Sequence, residues 1–191
     1  VMLDGYASNP DVIAVAASTS AEKKAWYSDH GAAVWICAPS SGDASAGEKR
    51  IFTTDRRGGE GYNPGSTDKG DAAGDYTNSF GGTSSATPLT AGVAALMLSV
   101  NPDLTAADVK EILAKTADQI GSGYDANGHS DEFGYGRINA LKAVQEAQAR
   151  KGSPSTSTGQ HPSITAPASV ARSDGPPSFD VDPGSNTYYA V

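Results

Sequence analysis

The chain has 191 residues, enough for one well-filled core or one core with a small appendage. Its 14 Lys and Arg against 22 Asp and Glu give a formal net charge of −8. That balance disfavours nucleic-acid and anionic-membrane partners and favours cationic ligands, such as calcium or basic peptides.

Residues 12–17 form a short apolar run rich in β-branched side chains, set between Asn9-Pro10-Asp11 and Ser18-Thr19-Ser20. The run predicts a strand buried on both faces, as in a parallel sheet. Residues 32–38 predict a second such strand, stopped by Pro39-Ser40-Ser41-Gly42. It carries the single cysteine, Cys37, which has no internal disulfide partner and is expected to be an inert buried thiol. Residues 51–54 predict a short third strand. Residues 56–78 are rich in Gly, Asp, Asn and Ser and predict a long surface loop. Residues 89–100, with Ala86, are apolar around the whole helix axis and predict a helix buried on all sides. Pro88 is expected in its first turn, where a missing N–H costs nothing.

Asn101-Pro102 ends that helix. Thr105 and Asp108 then have the spacing of an N-cap and an N3 carboxylate. They open an amphipathic helix with Val109, Ile112, Leu113 and Ile120 on one face. Residues 138–149 predict a last helix with Leu141 and Val144 inward. Beyond it, residues 150–163 read as a Pro/Ser/Thr/Gly linker. Residues 164–191 hold strand-like pieces around a Pro183-Gly184 turn, too few for a sandwich of their own. They are expected to begin a β-module or to dock as a strand. No run is expected to reach membrane-spanning length, and no signal-peptide pattern opens the chain.

Ser84 falls at the mouth of the apolar helix, near unpaired backbone N–H groups and the positive end of the helix dipole. A nucleophile hydroxyl placed there shares its site with oxyanion donors. An ordinary Ser/Thr N-cap would give the same local pattern. The whole stretch Gly82-Thr83-Ser84-Ser85-Ala86-Thr87-Pro88 favours the nucleophile. It resembles the motif Gly-Thr-Ser-x-Ala-[Ser/Thr]-Pro of the subtilisin-like serine proteases and matches at every fixed position. Ser84, not Ser85, is the nucleophile in that register. A lipase-type elbow is excluded, because Ala86 stands where its second glycine belongs.

The resemblance extends along the chain. Val12-Ile13-Ala14-Val15, Tyr27-Ser28, Ala38-Pro39 and the closing Gly134-Tyr135-Gly136-Arg137-Ile138-Asn139-Ala140 all follow the family's order. It implies that residues 1–149 are the C-terminal half of an α/β domain, a mostly parallel sheet flanked by helices that does not stand alone. It also implies that the catalytic Asp and His, and an oxyanion-hole Asn, precede Ser84. His30 is the one upstream histidine, and it lacks the family's His-Gly-Thr context. His129 and His161 lie downstream, and all three are expected to be surface or loop residues. The chain alone is therefore expected to be inactive. It would act with the N-terminal portion of the domain on another chain, hydrolysing a polypeptide substrate. The alternative is a truncated or inactive protease-like binding module.

Asp4-Gly5-Tyr6, Trp26-Tyr27-Ser28-Asp29, Thr53-Thr54-Asp55 and Gly81-Gly82 are most similar to the kexin/furin-like branch, although its disulfide cysteines are absent. That similarity implies a bacterial, secreted or periplasmic member that cleaves after Arg or Lys. It assigns Asp4 to the pocket for that side chain and Asp29 to a structural calcium ion. One carboxylate cannot make a site of about six to eight oxygens, so further ligands are expected from elsewhere. The acidic loop 125–132 does not fit the spacing of a calcium loop and is expected to be a solvated turn.

Overall fold

The computed structural model describes residues 5–152. Two strands, β1 (Ala14–Ser18) and β2 (Val34–Pro39), pair in parallel with Val15 opposite Ile36 and Ala17 opposite Ala38. Ile36, Cys37 and Ala38 are fully buried, as their apolar run requires. Each strand starts two residues later than its apolar run, because Val12 and Ile13 enter the core from the preceding turn. The chain returns to the far edge of β2 at residues 135–138. There Tyr135 N–H donates to the Trp35 carbonyl, and Cys37 N–H donates to that of Gly136.

The expected loop at 56–78 ends in a strand that its polar composition concealed. This strand, β4 (Tyr76–Phe80), pairs antiparallel with β3 (Ile51–Thr54). The two pairs are separate two-stranded sheets, parallel in the core and antiparallel at the outlying pair. The loop between β3 and β4 is held by Asn63, which is fully buried. Its amide donates to the carbonyls of Asp71 and Tyr76, and its Oδ1 accepts from the N–H groups of Gly65 and Ser66. Polar contacts take the place of an apolar core there.

Three helices follow: α1 (Thr83–Val100), α2 (Ala106–Thr116) and α3 (Ala140–Ala149). α1 packs on β1, β2 and α3, and Val93 and Met97 meet Ile13, Ile36, Ile112 and Leu113 in the main core. It is not buried on all sides. Leu89 is 43% exposed and Leu96 52%, with Gly92 and Ala95 also exposed, so one apolar stripe stays uncovered. By length and composition α1 could cross a membrane, contrary to expectation, but its packing in this structure is that of a core helix. Pro88 lies inside the helix rather than in its first turn, and it has no N–H to give the Ser84 carbonyl.

The capping box at α2 forms as its spacing predicts, with Thr105 and Asp108 exchanging side-chain and backbone bonds. Removing the Thr105 hydroxyl (Thr105→Ala) is expected to destabilise the domain by about 1 kcal/mol, read as a lower midpoint in denaturant unfolding. α2 ends at Thr116, so Ile120 is buried from the following turn and not from the helix. In α3 Ala143 and Ala147 are buried and Val144 packs against the main core as expected, while Leu141 is 67% exposed. α3 starts only at Ala140, capped by the Asn139 side chain. That phase turns Leu141 outward, where it adds to the uncovered apolar surface.

Candidate active site

The connection from β4 to α1 builds the site. Phe80 leaves the strand, and Gly81-Gly82 turn the chain into the helix. Gly82 has φ +82°, a left-handed conformation that glycine adopts without strain. Ser85 follows with a buried hydroxyl that donates to the Gly82 carbonyl at 2.9 Å and lies 2.6 Å from Ser40 Oγ. That hydroxyl is occupied in capping the turn. Ser84 faces outward instead, and among the described residues its Oγ has no hydrogen-bond partner. The two adjacent serines thus divide the work: Ser85 ties down the helix start and Ser84 is free.

Ser84 borders a cleft of about 440 Å³ lined by Trp26, Tyr27, Arg50, Tyr62, Phe80 and the 81–82 backbone, among others. Its walls are largely aromatic: Tyr62 and Phe80 lie 6.5 Å apart, and Trp26 meets Tyr27 edge-on at 5.5 Å. Trp26 is 83% exposed and stands at the rim of the cleft. Arg50 supplies the cleft's cation. No histidine or carboxylate lines it among the described residues. Sequence reasoning missed Tyr62, Phe80 and Arg50, which are assembled from three separate segments. Tyr27 and Trp26 stand out in the sequence only as markers of the family and its branch.

Of the other expected site residues, Asp29 does not line this cleft. Asp29 is exposed on the β1–β2 connection, and its backbone carbonyl accepts from the Ser28 hydroxyl. Among the described residues no three His, Cys, Asp or Glu side chains come together to hold a metal ion. A calcium ion at Asp29 would therefore draw its other oxygens from backbone, water or residues beyond 5–152. Asp4 lies outside the described residues. In the 125–132 loop, Asp125 accepts from the N–H groups of Asn127 and His129, which holds its carboxyl below the ordinary carboxylate range. His30 is exposed, and His129 rests 2.7 Å from the Val34 carbonyl. Burial pushes the Cys37 thiol up to about 12, so it is an inert core group at neutral pH.

A parallel-sheet α/β domain whose core helix opens on an outward serine belongs to a class of proteins that offer a hydroxyl at a helix N-terminus. The particular family follows from sequence. The profile of the subtilase family, Peptidase_S8, matches residues 4–136, and the chain belongs to that family. It is 54% identical over 147 residues to a calcium-dependent protease of Nostoc sp., covering 75% of this chain and 22% of that protein. It is 36% identical over 152 residues to a dibasic-processing endoprotease of Yarrowia lipolytica, covering 76% of this chain and 14% of that one. The structure resembles a serine protease of Aeromonas sobria, with a TM-score of 0.61 and 27% identity over 73% of this chain and 30% of that one. Fervidolysin from Fervidobacterium pennivorans follows, with a TM-score of 0.56 and 27% identity over 73% of this chain and 20% of that one. The chain thus spans less than a quarter of the length of the curated relatives named here.

Proposed function

We propose that the chain is the nucleophile-bearing part of a serine endopeptidase, with Ser84 as the residue acylated by substrate. The observation that carries this reading is the outward, unpartnered Ser84 hydroxyl at the start of α1, beside an aromatic cleft, within a subtilase sequence. Ser84 Oγ attacks the scissile carbonyl, and a histidine takes its proton and returns it to the leaving amine. The Ser84 backbone N–H, at the helix N-terminus, is one donor for the developing oxyanion.

The histidine, its orienting Asp and the oxyanion Asn are assigned to the N-terminal portion of the same domain. Two features support a docking face for that portion. β1 pairs with no strand other than β2 among the described residues, and Leu89, Leu96 and Leu141 are exposed. Among the described residues no histidine or carboxylate lines the cleft, which leaves a second reading for the chain on its own, a binding module without activity.

Specificity for Arg or Lys and dependence on calcium are proposed from the branch resemblance and from the names of the relatives. Asp4 would recognise the substrate cation, best the forked guanidinium. Asp29 would contribute one oxygen to a calcium ion that stiffens the pocket's loops. By the same resemblance the enzyme works outside the cytoplasm.

Matched peptides with Arg or Leu before the scissile bond test this in the chain joined to its N-terminal portion. The expected result is a preference for Arg of at least about a hundredfold in kcat/KM, lost in chelator and restored by calcium. Equal turnover of both peptides, or full activity in chelator, removes the specificity and calcium readings while leaving the protease.

A further inference from the structure

We propose that Tyr27 is a positioning residue for Ser84, acting through a hydroxyl relay that grips Gly82. This rests on Ser84 being the nucleophile. The Tyr27 hydroxyl lies 2.7 Å from both Ser40 Oγ and the Ser41 carbonyl oxygen. Ser40 Oγ in turn lies 2.7 Å from the Gly82 carbonyl oxygen and 2.6 Å from Ser85 Oγ. Gly82 N–H donates to Ser41 Oγ at 3.4 Å. The peptide units on both sides of Gly82 are therefore tied to residues 40 and 41, two positions before the free serine.

The relay reaches the nucleophile turn from the end of β2, which is anchored in the parallel sheet. Gly82 needs that external grip. Its left-handed conformation is open to glycine but not enforced by it, since glycine also populates the remaining backbone regions freely. A helix mouth that wandered by an ångström would misplace Ser84 Oγ against a bound carbonyl, at a cost of about a hundredfold in rate.

Tyr27 also lines the cleft beside Ser84, together with Ser41 and Gly82. One side chain thus touches the space open to substrate and, through its oxygen, holds the turn that presents the nucleophile. Tyr27, Ser40, Ser41 and Ser85 bring four O–H protons to six O···O contacts, and two of the acceptors are carbonyls that cannot donate. Each hydroxyl therefore has alternative partners, so deleting one oxygen is felt along the whole relay.

Tyr27→Phe keeps the ring in the cleft and removes only the oxygen. The test measures fluorophosphonate labelling of Ser84, and peptide turnover, in the chain joined to the N-terminal portion of its domain. The expected result is labelling and kcat lowered about tenfold or more, with KM within about twofold and a thermal midpoint lowered by no more than about 4 °C. Ser41→Ala, which removes the acceptor for Gly82 N–H, is expected to act in the same direction. Wild-type labelling rates in both variants overturn the relay and leave the nucleophile reading intact. Failure of the unmutated protein to label at Ser84 overturns that reading and the relay with it. A lower kcat matched by an equal loss of thermal stability also counts against a positioning role, since it reduces Tyr27 to a structural residue.

Discussion

Replacing Ser84 with alanine is expected to lower kcat for peptide hydrolysis at least about ten-thousandfold, with KM within about twofold. The hydroxyl is outward and has no partner among the described residues, so its removal leaves no buried group unsatisfied and the fold unchanged. The neighbouring serine makes the contrast. Ser85 is buried against Gly82 and Ser40, so Ser85→Ala is expected to loosen the helix start and lower activity far less. Steady-state kinetics on both variants, joined to the N-terminal portion of the domain, checks the pair. Comparable losses in the two, or a mild loss in Ser84→Ala, would contradict the assignment.

A large effect on stability is expected from a glycine far from the cleft. Gly134 sits at φ +59°, and a Cβ there would lie 2.4 Å from both the carbonyl carbon and oxygen of Trp35. Those atoms belong to β2, and neither can move without breaking the pairing between β2 and residues 135–138. Gly134→Ala is expected to destabilise the domain by about 3 kcal/mol, combining a left-handed alanine with overpacking against backbone. Denaturant unfolding against the unmutated protein measures it. Gly92, on the exposed side of α1 with nothing within 4 Å, is the control. Gly92→Ala is expected to stabilise the helix slightly, by about 0.5–1 kcal/mol.

Most elements of the fold were legible in the sequence, because short apolar runs and a capping box are local signals. β1, β2, β3 and all three helices lie where the patterning puts them, within a few residues. β4 was not legible. Its residues Tyr-Thr-Asn-Ser-Phe follow a polar loop, and they form a strand because β3 and the buried Asn63 supply the hydrogen bonds. The burial of α1 was overread for a different reason. Composition shows that a helix is apolar all round, but not which side its neighbours cover, and here they leave Leu89 and Leu96 exposed.

The candidate site divides in the same way. The motif around Ser84 is contiguous, so its place at the start of α1 could be read directly. The cleft and the relay are assembled from segments as far apart as Trp26 and Phe80, and only the fold brings them together. Ser40 and Ser41 appear in the sequence merely as the polar stop after Pro39. Their contact with Gly82, forty-odd residues later, leaves no trace in local spacing. A hydroxyl-rich turn directly after a buried strand was the available signal, and it is too common to single out.

The most direct test of the central claim is the chemical identity of the acylated residue. The chain joined to the N-terminal portion of its domain would be treated with a fluorophosphonate and digested, and the adduct located by mass spectrometry. The expected result is a single adduct on Ser84, absent from Ser84→Ala and retained in Ser85→Ala. An adduct on Ser85 or any other residue, or peptide hydrolysis with no adduct at all, would contradict it.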